Sequence, residues 1–322
     1  MRFGLVGCGP IGQGRHLPAF AAYKGIEVAA VCDLDKAKAD KTAAQYKVKA
    51  YYSLDEMLAK EKLDIIDVAT NERVRPAPLI QCLETGAHVF TEKPLVGKRG
   101  QMNLQGDDLP EAKRIIDAWR KRKQCFGINF NYRTLEHTNL LKKSIEDGTM
   151  GEPVMMNGVT HFHCWSHVMD LMRWFNGDVV ELSCVYSGPA ENPDRVAWFK
   201  FKNGSIGSLV GTARMTPPGK DMYSMEMEYI GTKAKARLTG LCAKLVLHPI
   251  GKNPQVLWDV PYDDMMVRFG QAFERTIRAY CDAVFAGKQP PVTGLDGFRE
   301  AELDCGMHIS ATTGKPYKVE LY

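Results

Sequence analysis

The chain has 322 residues, of which 45% are hydrophobic and 25% charged, and its formal net charge is +4 at pH 7. This composition is typical of a globular protein with two domains, and the interspersed charges exclude the dense basic surface of a nucleic-acid-binding protein. We expect neither a membrane span nor a signal peptide, and nine cysteines without C-x-x-C spacing favour a reducing, cytoplasmic compartment.

The N-terminal residues follow the order of a dinucleotide-binding unit. The apolar run 3–6 predicts a strand, and it is followed by Gly7-Cys8-Gly9-Pro10-Ile11-Gly12, a helix-compatible stretch over 15–23 and a second apolar run over 27–32. In G-x-G-x-x-G, the glycines permit a tight turn, close approach to a pyrophosphate and close helix packing, respectively. Asp33 suits the adenosine ribose hydroxyls and would repel a 2′-phosphate, which favours NAD over NADP.

Strand and helix patterns alternate up to about residue 125. This alternation predicts a parallel, doubly wound sheet, and we assign residues 1–125 to a Rossmann NAD-binding domain. The polar stretch 97–108 predicts a loop after the fourth strand. Further predicted strands cover 64–69, 88–91 and 125–130, and predicted helices cover 54–60, 78–85 and 110–121.

The second half of the chain, residues 126–322, predicts an α+β domain with a large, open, mostly antiparallel sheet. Between 195 and 201, Ala197, Phe199 and Phe201 would point to one face, while Val196 and Trp198 point to the other. Such alternation indicates a sheet covered on one side. Predicted strands cover 154–162, 179–186, 195–201, 205–213, 222–230, 234–238 and 243–248, and predicted helices cover 136–147, 268–286 and 296–313.

Lys93 is a candidate catalytic residue. It lies in Thr91-Glu92-Lys93-Pro94, directly after a predicted parallel strand, and ligands of such sheets bind outside the carboxyl ends of the strands. Pro94 favours an extended backbone at Lys93. A partly buried lysine near a cationic ring would have a lowered pKa, which suits acid/base chemistry. On this segment alone, an ordinary exposed lysine is an equal alternative.

A second candidate group follows residue 160. On a predicted helix, His167, Asp170 and Trp174 share one face, and His163 joins them if the helix extends back by one turn. Histidine exchanges protons near neutral pH, so these histidines are candidates either for acid/base chemistry or for a capping or core role. For His161 we predict the capping or core role. The opposite face carries a predicted core stripe of Val168, Leu171, Met172 and Phe175. We predict no metal site; the less favoured alternative is a zinc site built from His161, His163, Cys164 and His167.

Together these motifs resemble the glucose–fructose oxidoreductase, inositol dehydrogenase and MocA (Gfo/Idh/MocA) family of nicotinamide-dependent sugar oxidoreductases. The resemblance covers nearly the whole chain. Its motifs are the glycine turn with Asp33, Ala69-Thr70-Asn71, ETGAHVFTEKP at 84–94, Asn131-Tyr132-Arg133, Gly151-Glu152-Pro153, and SHVMDLMRW at 166–174.

The resemblance implies a role for each of these residues. Lys93 would hydrogen-bond the reacting hydroxyl or carbonyl, and His167 would be the general acid/base while hydride passes between the substrate carbon and the nicotinamide. It further implies a homodimer or homotetramer formed through the open face of the second-domain sheet. The nicotinamide ribose would be positioned by Thr70, Asn71 and Glu92, and Lys93 would also contact the cofactor. The substrate pocket would be lined by Arg133, Asp170 and His163.

Several features depart from the family pattern. His163 replaces an aspartate, the glycine-rich stretch before the catalytic histidine is missing, and the loop 97–108 is longer than usual, so we expect a more open pocket that this loop could cover. Arg73 and Arg75 lie where the family often has histidine. These arginines could pair with a substrate carboxylate or phosphate, and surface charge is an equal alternative.

We therefore predict an NAD-dependent dehydrogenase or reductase acting on a sugar, cyclitol, amino sugar or sugar acid. Two alternatives stay open at this point. One is a redox-neutral enzyme that uses tightly bound NAD for transient sugar oxidation. The other is a non-catalytic regulator that senses NAD or a sugar, as the galactose-pathway repressor of this fold does.

Overall fold

The computed structural model describes residues 1–191, 193–212 and 225–322. These residues form two compact units, and the chain enters each unit more than once, whereas the sequence alone predicts a single boundary near residue 125. The first unit contains Met1–Gln101, Asp108–Phe130 and Phe273–Ala301, and the second contains Met102–Asp107, Asn131–Ala272 and Glu302–Tyr322.

The first unit contains a parallel sheet, as predicted, and the sheet has six strands in the order β3-β2-β1-β4-β5-β6. The short strand β3 is not among the predicted strands. Its strands are β1 (Arg2–Val6), β2 (Glu27–Cys32), β3 (Lys49–Tyr51), β4 (Ile65–Val68), β5 (His88–Thr91) and β6 (Phe126–Ile128). Its intervening helices are α1 (Leu17–Ala21), α2 (Lys36–Tyr46), α3 (Leu54–Lys60), α4 (Pro76–Glu84) and α5 (Leu109–Arg120).

Helix α2 has no counterpart among the sequence predictions. Its sequence, KAKADKTAAQY, is polar, and its buried residues Ala39, Thr42 and Ala43 are small. The signal for this helix is its N-terminal cap, because the Asp35 carboxylate accepts the backbone N–H groups of Ala37 and Lys38.

The second unit contains a nine-stranded sheet with strand order β14-β13-β12-β11-β7-β10-β9-β8-β15, in which only β7 and β10 pair in parallel among the described strands. Its strands are β7 (Pro153–His161), β8 (Val179–Ser187), β9 (Asp194–Phe201), β10 (Ile206–Thr212), β11 (Met225–Gly231), β12 (Ala234–Thr239), β13 (Lys244–Pro249), β14 (Gln255–Asp259) and β15 (Tyr317–Lys318). The remaining helices are α6 (Glu136–Glu146), α7 (Trp165–Asn176), α8 (Tyr262–Phe285) and α9 (Gly294–Thr313).

Most predicted strands of the second half are confirmed, and β14 and β15 are additional. The predicted runs 205–213 and 222–230 correspond to β10 and β11, but residues 213 and 222–224 of those runs lie outside the described residues.

Four aromatic rings form the centre of the first unit's core. The Phe3 and Phe20 ring centroids are 4.4 Å apart, those of Phe20 and Phe90 are 5.8 Å apart, and those of Phe90 and Tyr280 are 5.0 Å apart. All four side chains are buried. Because they come from β1, α1, β5 and α8, their packing holds the segments that flank the glycine turn and Lys93.

The sheet of the second unit is buried on one face, as its alternation predicts. Ala197, Phe199 and Phe201 lie in the core together with the predicted α7 stripe. Val196 and Trp198 point the other way, and they are 50% and 43% exposed. Pairing of this exposed face with another chain stays a prediction.

No helix within the described residues is long and apolar enough to cross a membrane. All nine cysteines are buried free thiols.

Candidate active site

The glycine turn after β1 has the shape that a dinucleotide requires. Gly7 has φ +99°, and a Cβ there would lie 2.9 Å from the backbone of Ala69 and Thr70. A Cβ on Gly12 would collide with the Gly7 carbonyl oxygen, whereas a Cβ on Gly9 would meet nothing within 4 Å. The first and third glycines are therefore needed for packing within the protein. The second leaves backbone accessible from outside, as approach of a pyrophosphate requires.

Asp33 ties this turn to the end of β2. One carboxylate oxygen accepts the Cys8 N–H at 2.7 Å, and the other accepts the Asp35 N–H at 2.9 Å. The two residues between the second and third glycines, Pro10 and Ile11, are exposed where the helical segment begins. The turn and the half-buried Asp33 thus form one hydrogen-bonded unit, and contact of Asp33 with the adenosine ribose stays a prediction.

A buried polar network that was not predicted from the sequence lies at the same edge of the sheet. The His16 ring is fully buried, with Nδ1 2.9 Å from Asp67 Oδ2 and Nε2 2.9 Å from Glu92 Oε1. Asn129 Nδ2 also donates to Glu92 Oε1, at 2.6 Å. Because each ring nitrogen faces a carboxylate oxygen, both nitrogens must carry protons if both act as donors. The geometry therefore indicates an imidazolium between two carboxylates.

The electrostatics of the network agree with this geometry. Burial alone would lower the pKa of His16, but the charges and hydrogen bonds of Asp67 and Glu92 raise it to about 10. Burial raises the pKa of Asp67. Burial also opposes ionisation of Glu92, but the hydrogen bond and the charge of His16 outweigh it and lower the Glu92 pKa. A sequence signal existed, because Asp67 lies within the apolar strand β4, where a buried acid needs a partner.

Arg75 fastens the loops that follow β4 and β5. Its buried guanidinium donates to the Thr70 carbonyl at 2.6 and 3.1 Å, to the Glu92 carbonyl at 2.8 Å, and to the Pro94 carbonyl. These bonds engage four of the five guanidinium N–H groups. The structure thus gives Arg75 a loop-holding role that its position did not predict, and a contact with a substrate anion stays a prediction. The guanidinium of Arg73, an exposed residue, donates to the Arg99 carbonyl at 3.3 Å.

The loops held by Arg75 carry the remaining predicted residues of the first unit. Lys93 is half-buried after β5, its N–H donates to Glu92 Oε2 at 3.1 Å, and its peptide bond to Pro94 is cis. Thr70 Oγ1 is buried and has no hydrogen-bond partner within the described residues, so this hydroxyl is one that a ligand could satisfy. Asn71 is exposed, and its side-chain oxygen accepts the Arg73 N–H at 3.0 Å.

In the second unit, Tyr132 and Arg133 hold two residues that lie one turn apart on α7. The Tyr132 ring stacks on His167 with a centroid distance of 3.9 Å and an interplanar angle of 4°. The Arg133 guanidinium makes two bonds with the Asp170 carboxylate, at 2.8 and 2.5 Å, and lies 5.7 Å from the centroid of the Trp174 ring. His167, Asp170 and Arg133 are all buried, so the predicted residues of this unit are packed firmly.

His161 and His163 lie side by side at the end of β7. His161 caps the short 3₁₀ segment Phe162–Cys164 by accepting the His163 N–H at 3.2 Å, which confirms its predicted capping role. The Nδ1 atoms of the two histidines are 3.0 Å apart, and their rings stack. The part of the chain that the structure describes contains no group of three or more His, Cys, Asp and Glu placed to hold a metal.

The fold and the glycine turn place the chain in the class of oxidoreductases with an NAD-binding Rossmann domain. Residues 1–130 match the family model GFO_IDH_MocA, described as an oxidoreductase family with an NAD-binding Rossmann fold. The inositol 2-dehydrogenase/D-chiro-inositol 3-dehydrogenase of Shouchella clausii is 30% identical over 349 residues, which cover 100% of this chain and 94% of that protein. The chain belongs to the Gfo/Idh/MocA family.

Solved structures with the same fold include two dehydrogenases. Levoglucosan dehydrogenase in complex with NADH and levoglucosan superimposes with a TM-score of 0.84 at 19% identity, covering 99% of each chain. The WlbA dehydrogenase from Bordetella pertussis, in complex with NADH and UDP-GlcNAcA, has a TM-score of 0.83 at 21% identity, covering 100% of this chain and 98% of that one.

Replacing His16 by Asn tests the buried network. This substitution leaves two buried carboxylates without their cation, and we expect the free energy of unfolding to fall by about 3–5 kcal/mol. The measurement is urea denaturation at pH 7, with His248→Asn as the control, since His248 is half-buried on β13 of the other sheet. Equal stability of the His16 variant and the wild type would show that the imidazolium is not needed.

The same network predicts a pH dependence of stability. With a folded pKa of about 10 against an ordinary value of 6.5, protonated His16 stabilises the fold fully below pH 6.5 and loses this effect as the pH rises towards 10. The comparison is with the triple variant His16→Gln, Asp67→Asn and Glu92→Gln, whose network cannot titrate. The stability difference between wild type and triple variant should decrease from pH 6.5 to pH 10, and a difference that increases over this range would contradict the assigned charge.

Proposed function

We propose that this protein is an NAD-dependent oxidoreductase that transfers a hydride between the nicotinamide and a hydroxyl or keto carbon of a sugar, cyclitol, amino sugar or sugar acid. The main support for this proposal comes from three features of the first unit. The open backbone at Gly9, the carboxylate of Asp33 and the side chain of Lys93 all follow strands at the carboxyl edge of one parallel sheet. Ligands of such sheets bind at this edge.

The relatives support the proposed substrate class. The proteins similar to this chain are named for inositol and levoglucosan, or were solved with UDP-GlcNAcA. All of these molecules are polyhydroxylated rings. We propose that the substrate of this protein is also a ring with adjacent hydroxyl groups.

NAD, when bound, supplies the ring carbon that exchanges hydride with the substrate. We propose that Lys93 donates a hydrogen bond to the reacting oxygen and that His167 takes the hydroxyl proton as the C–H electron pair leaves and the C=O bond forms. In the reverse direction, His167 returns that proton. The stacking of His167 on Tyr132 supports this role, since a catalytic ring must be held in one orientation.

We further propose that Thr70, Asn71 and Glu92 face the nicotinamide ribose, with the partnerless hydroxyl of Thr70 as the supporting observation. Arg133 and Asp170 are proposed as a wall of the substrate pocket. Their paired charges would offer hydrogen-bond donors and acceptors to sugar hydroxyls without a net charge.

The catalytic roles are tested by following NADH absorbance with a panel of candidate substrates, which contains inositol, levoglucosan and nucleotide sugars. With any active substrate, Lys93→Met and His167→Gln should each lower kcat by about 10²–10⁴-fold, because each removes a group that handles the reacting oxygen or its proton. The matched controls are Lys98→Met, an exposed lysine of the following loop, and His248→Gln, both of which should keep wild-type kcat. Full kcat in both catalytic variants would show that the assigned roles are wrong.

The same panel separates the alternatives. Release of an aglycone without net NADH would identify a redox-neutral enzyme. Tight NAD binding without turnover of any panel member, together with a co-purifying protein, would identify a regulator.

Asp33 is proposed to select NAD over NADP. Asp33→Asn removes the charge that would repel a 2′-phosphate and keeps an oxygen acceptor for Cys8, so the ratio of kcat/KM for NADP to that for NAD should rise at least about tenfold, or about 1.4 kcal/mol. Asp35→Asn is the matched control, since Asp35 caps α2 instead. An unchanged ratio in Asp33→Asn would remove Asp33 from cofactor selection.

We also propose that the exposed face carrying Val196 and Trp198 is covered by a second copy of this chain in a homodimer or homotetramer. Apolar surface of this kind is unusual on an isolated subunit. Light scattering at micromolar concentration should give at least twice the 36.0 kDa chain mass, and Trp198→Glu should shift the mass towards the monomer. A monomeric wild type would contradict the proposal.

A further inference from the structure

The side chain of Lys93 has a partner that its motif does not predict. Its Nζ donates to Gln101 Oε1 at 3.1 Å, and both residues are half-buried in the first unit. Gln101 belongs to the polar loop 97–108, for which the sequence suggested only a covering role.

Backbone contacts hold Gln101 in place. Its N–H donates to Glu72 Oε1 at 3.0 Å, which ties the loop after β5 to the loop after β4. Gly100 N–H donates to the Gly97 carbonyl at 2.9 Å and closes a tight turn before Gln101. At the loop's other end, the Lys98 N–H donates to Asp108 Oδ1 at 2.9 Å, and the Asp108 side chain is fully buried. The carboxamide is therefore presented from an anchored segment.

The chemistry of the partner matters because Gln101 offers a neutral oxygen. A carboxylate at this distance would favour the ammonium form of lysine and raise its pKa. A carboxamide oxygen accepts a hydrogen bond from either the ammonium or the amine. It therefore orients the lysine side chain without favouring one protonation state. Glu72 accepts the backbone of Gln101, and Glu92 accepts His16, Asn129 and the backbone of Lys93. Burial opposes ionisation of Glu92, and the charge of Lys93 is among those that lower the Glu92 pKa, so this carboxylate also acts on the lysine. The hydrogen bond with Gln101 adds a fixed direction to that electrostatic interaction.

We propose that Gln101 is a positioning residue for Lys93, which it orients through a hydrogen bond that both the ammonium and the amine form of the lysine can donate. This inference rests on the proposed function of Lys93. The loop 97–108 would then help to orient a catalytic side chain, and Glu72 would set the position of Gln101.

The test uses the full-length protein with Gln101→Glu and Gln101→Ala, and with Gln81→Ala as the control. The control removes the same carboxamide group from a residue of α4, where Gln81 donates a hydrogen bond to Asp55. The lysines are reductively methylated with ¹³C-formaldehyde and titrated by NMR, and the Lys93 resonance is assigned by its loss in Lys93→Arg. This readout does not depend on turnover, and a merely structural loop residue would not alter it.

We expect Gln101→Glu to raise the pKa of Lys93 by about one pH unit relative to the wild type, through the added charge. Gln101→Ala should lower kcat roughly tenfold by loss of orientation, with little change in KM, and Gln81→Ala should match the wild type in both measurements. An unchanged Lys93 pKa in Gln101→Glu would overturn the inference, as would full kcat in Gln101→Ala. Failure of the wild type to turn over any substrate would contradict the proposed function instead, and the titration would still decide whether the contact exists.

Discussion

The chemistry of the first unit depends on one constraint, which is that parallel strands bring their carboxyl ends to the same edge of the sheet. The glycine turn, Asp33, the Thr70 loop and Lys93 all follow strands at this edge. Side chains from one loop then bind the backbone of another. Asp33 accepts the Cys8 N–H, and Arg75 holds the carbonyls of both neighbouring loops. The loops at the carboxyl edge of the sheet are thus joined to one another by hydrogen bonds, as a pre-organised cofactor site requires.

Buried charge is the second element of this organisation. His16 lies between two carboxylates, one on β4 and one directly after β5, and Arg133 pairs with Asp170 in the second unit. Such buried pairs add little net stability over well-packed apolar groups, but removal of one partner is costly. Their value is in position, because an ionised Glu92 that accepts fixed donors cannot rotate away. The backbone of Lys93 donates to that same carboxylate.

Features that depend on local sequence were predictable. The glycine turn, the strand before Lys93, the capping by His161 and the one-sided alternation around Phe199 all rest on residues that are neighbours in the chain. Helix α2 was missed because its buried side chains are too small to give a strong apolar period. The helix predicted over 15–23 also begins earlier than expected, as a π-helical segment over Gly12–His16.

Features that depend on distant residues were not predictable. His16 meets Asp67 and Glu92 across 51 and 76 residues, and no periodicity reports such a pairing. Arg75 could be recognised as a cation near the site, but only the structure shows that backbone carbonyls occupy its guanidinium. Residues 273–301 belong to the first unit although they are far from its other residues in the sequence, and no local pattern indicates this.

The proposed reaction moves a hydride from a ring carbon of the substrate to the nicotinamide. The most direct measurement uses a turned-over substrate carrying deuterium at its ring carbons, with NAD and the wild-type protein, followed by mass spectrometry of the cofactor. We expect one deuterium in the reduced cofactor and a keto product. Product formation with no deuterium in the cofactor would contradict it.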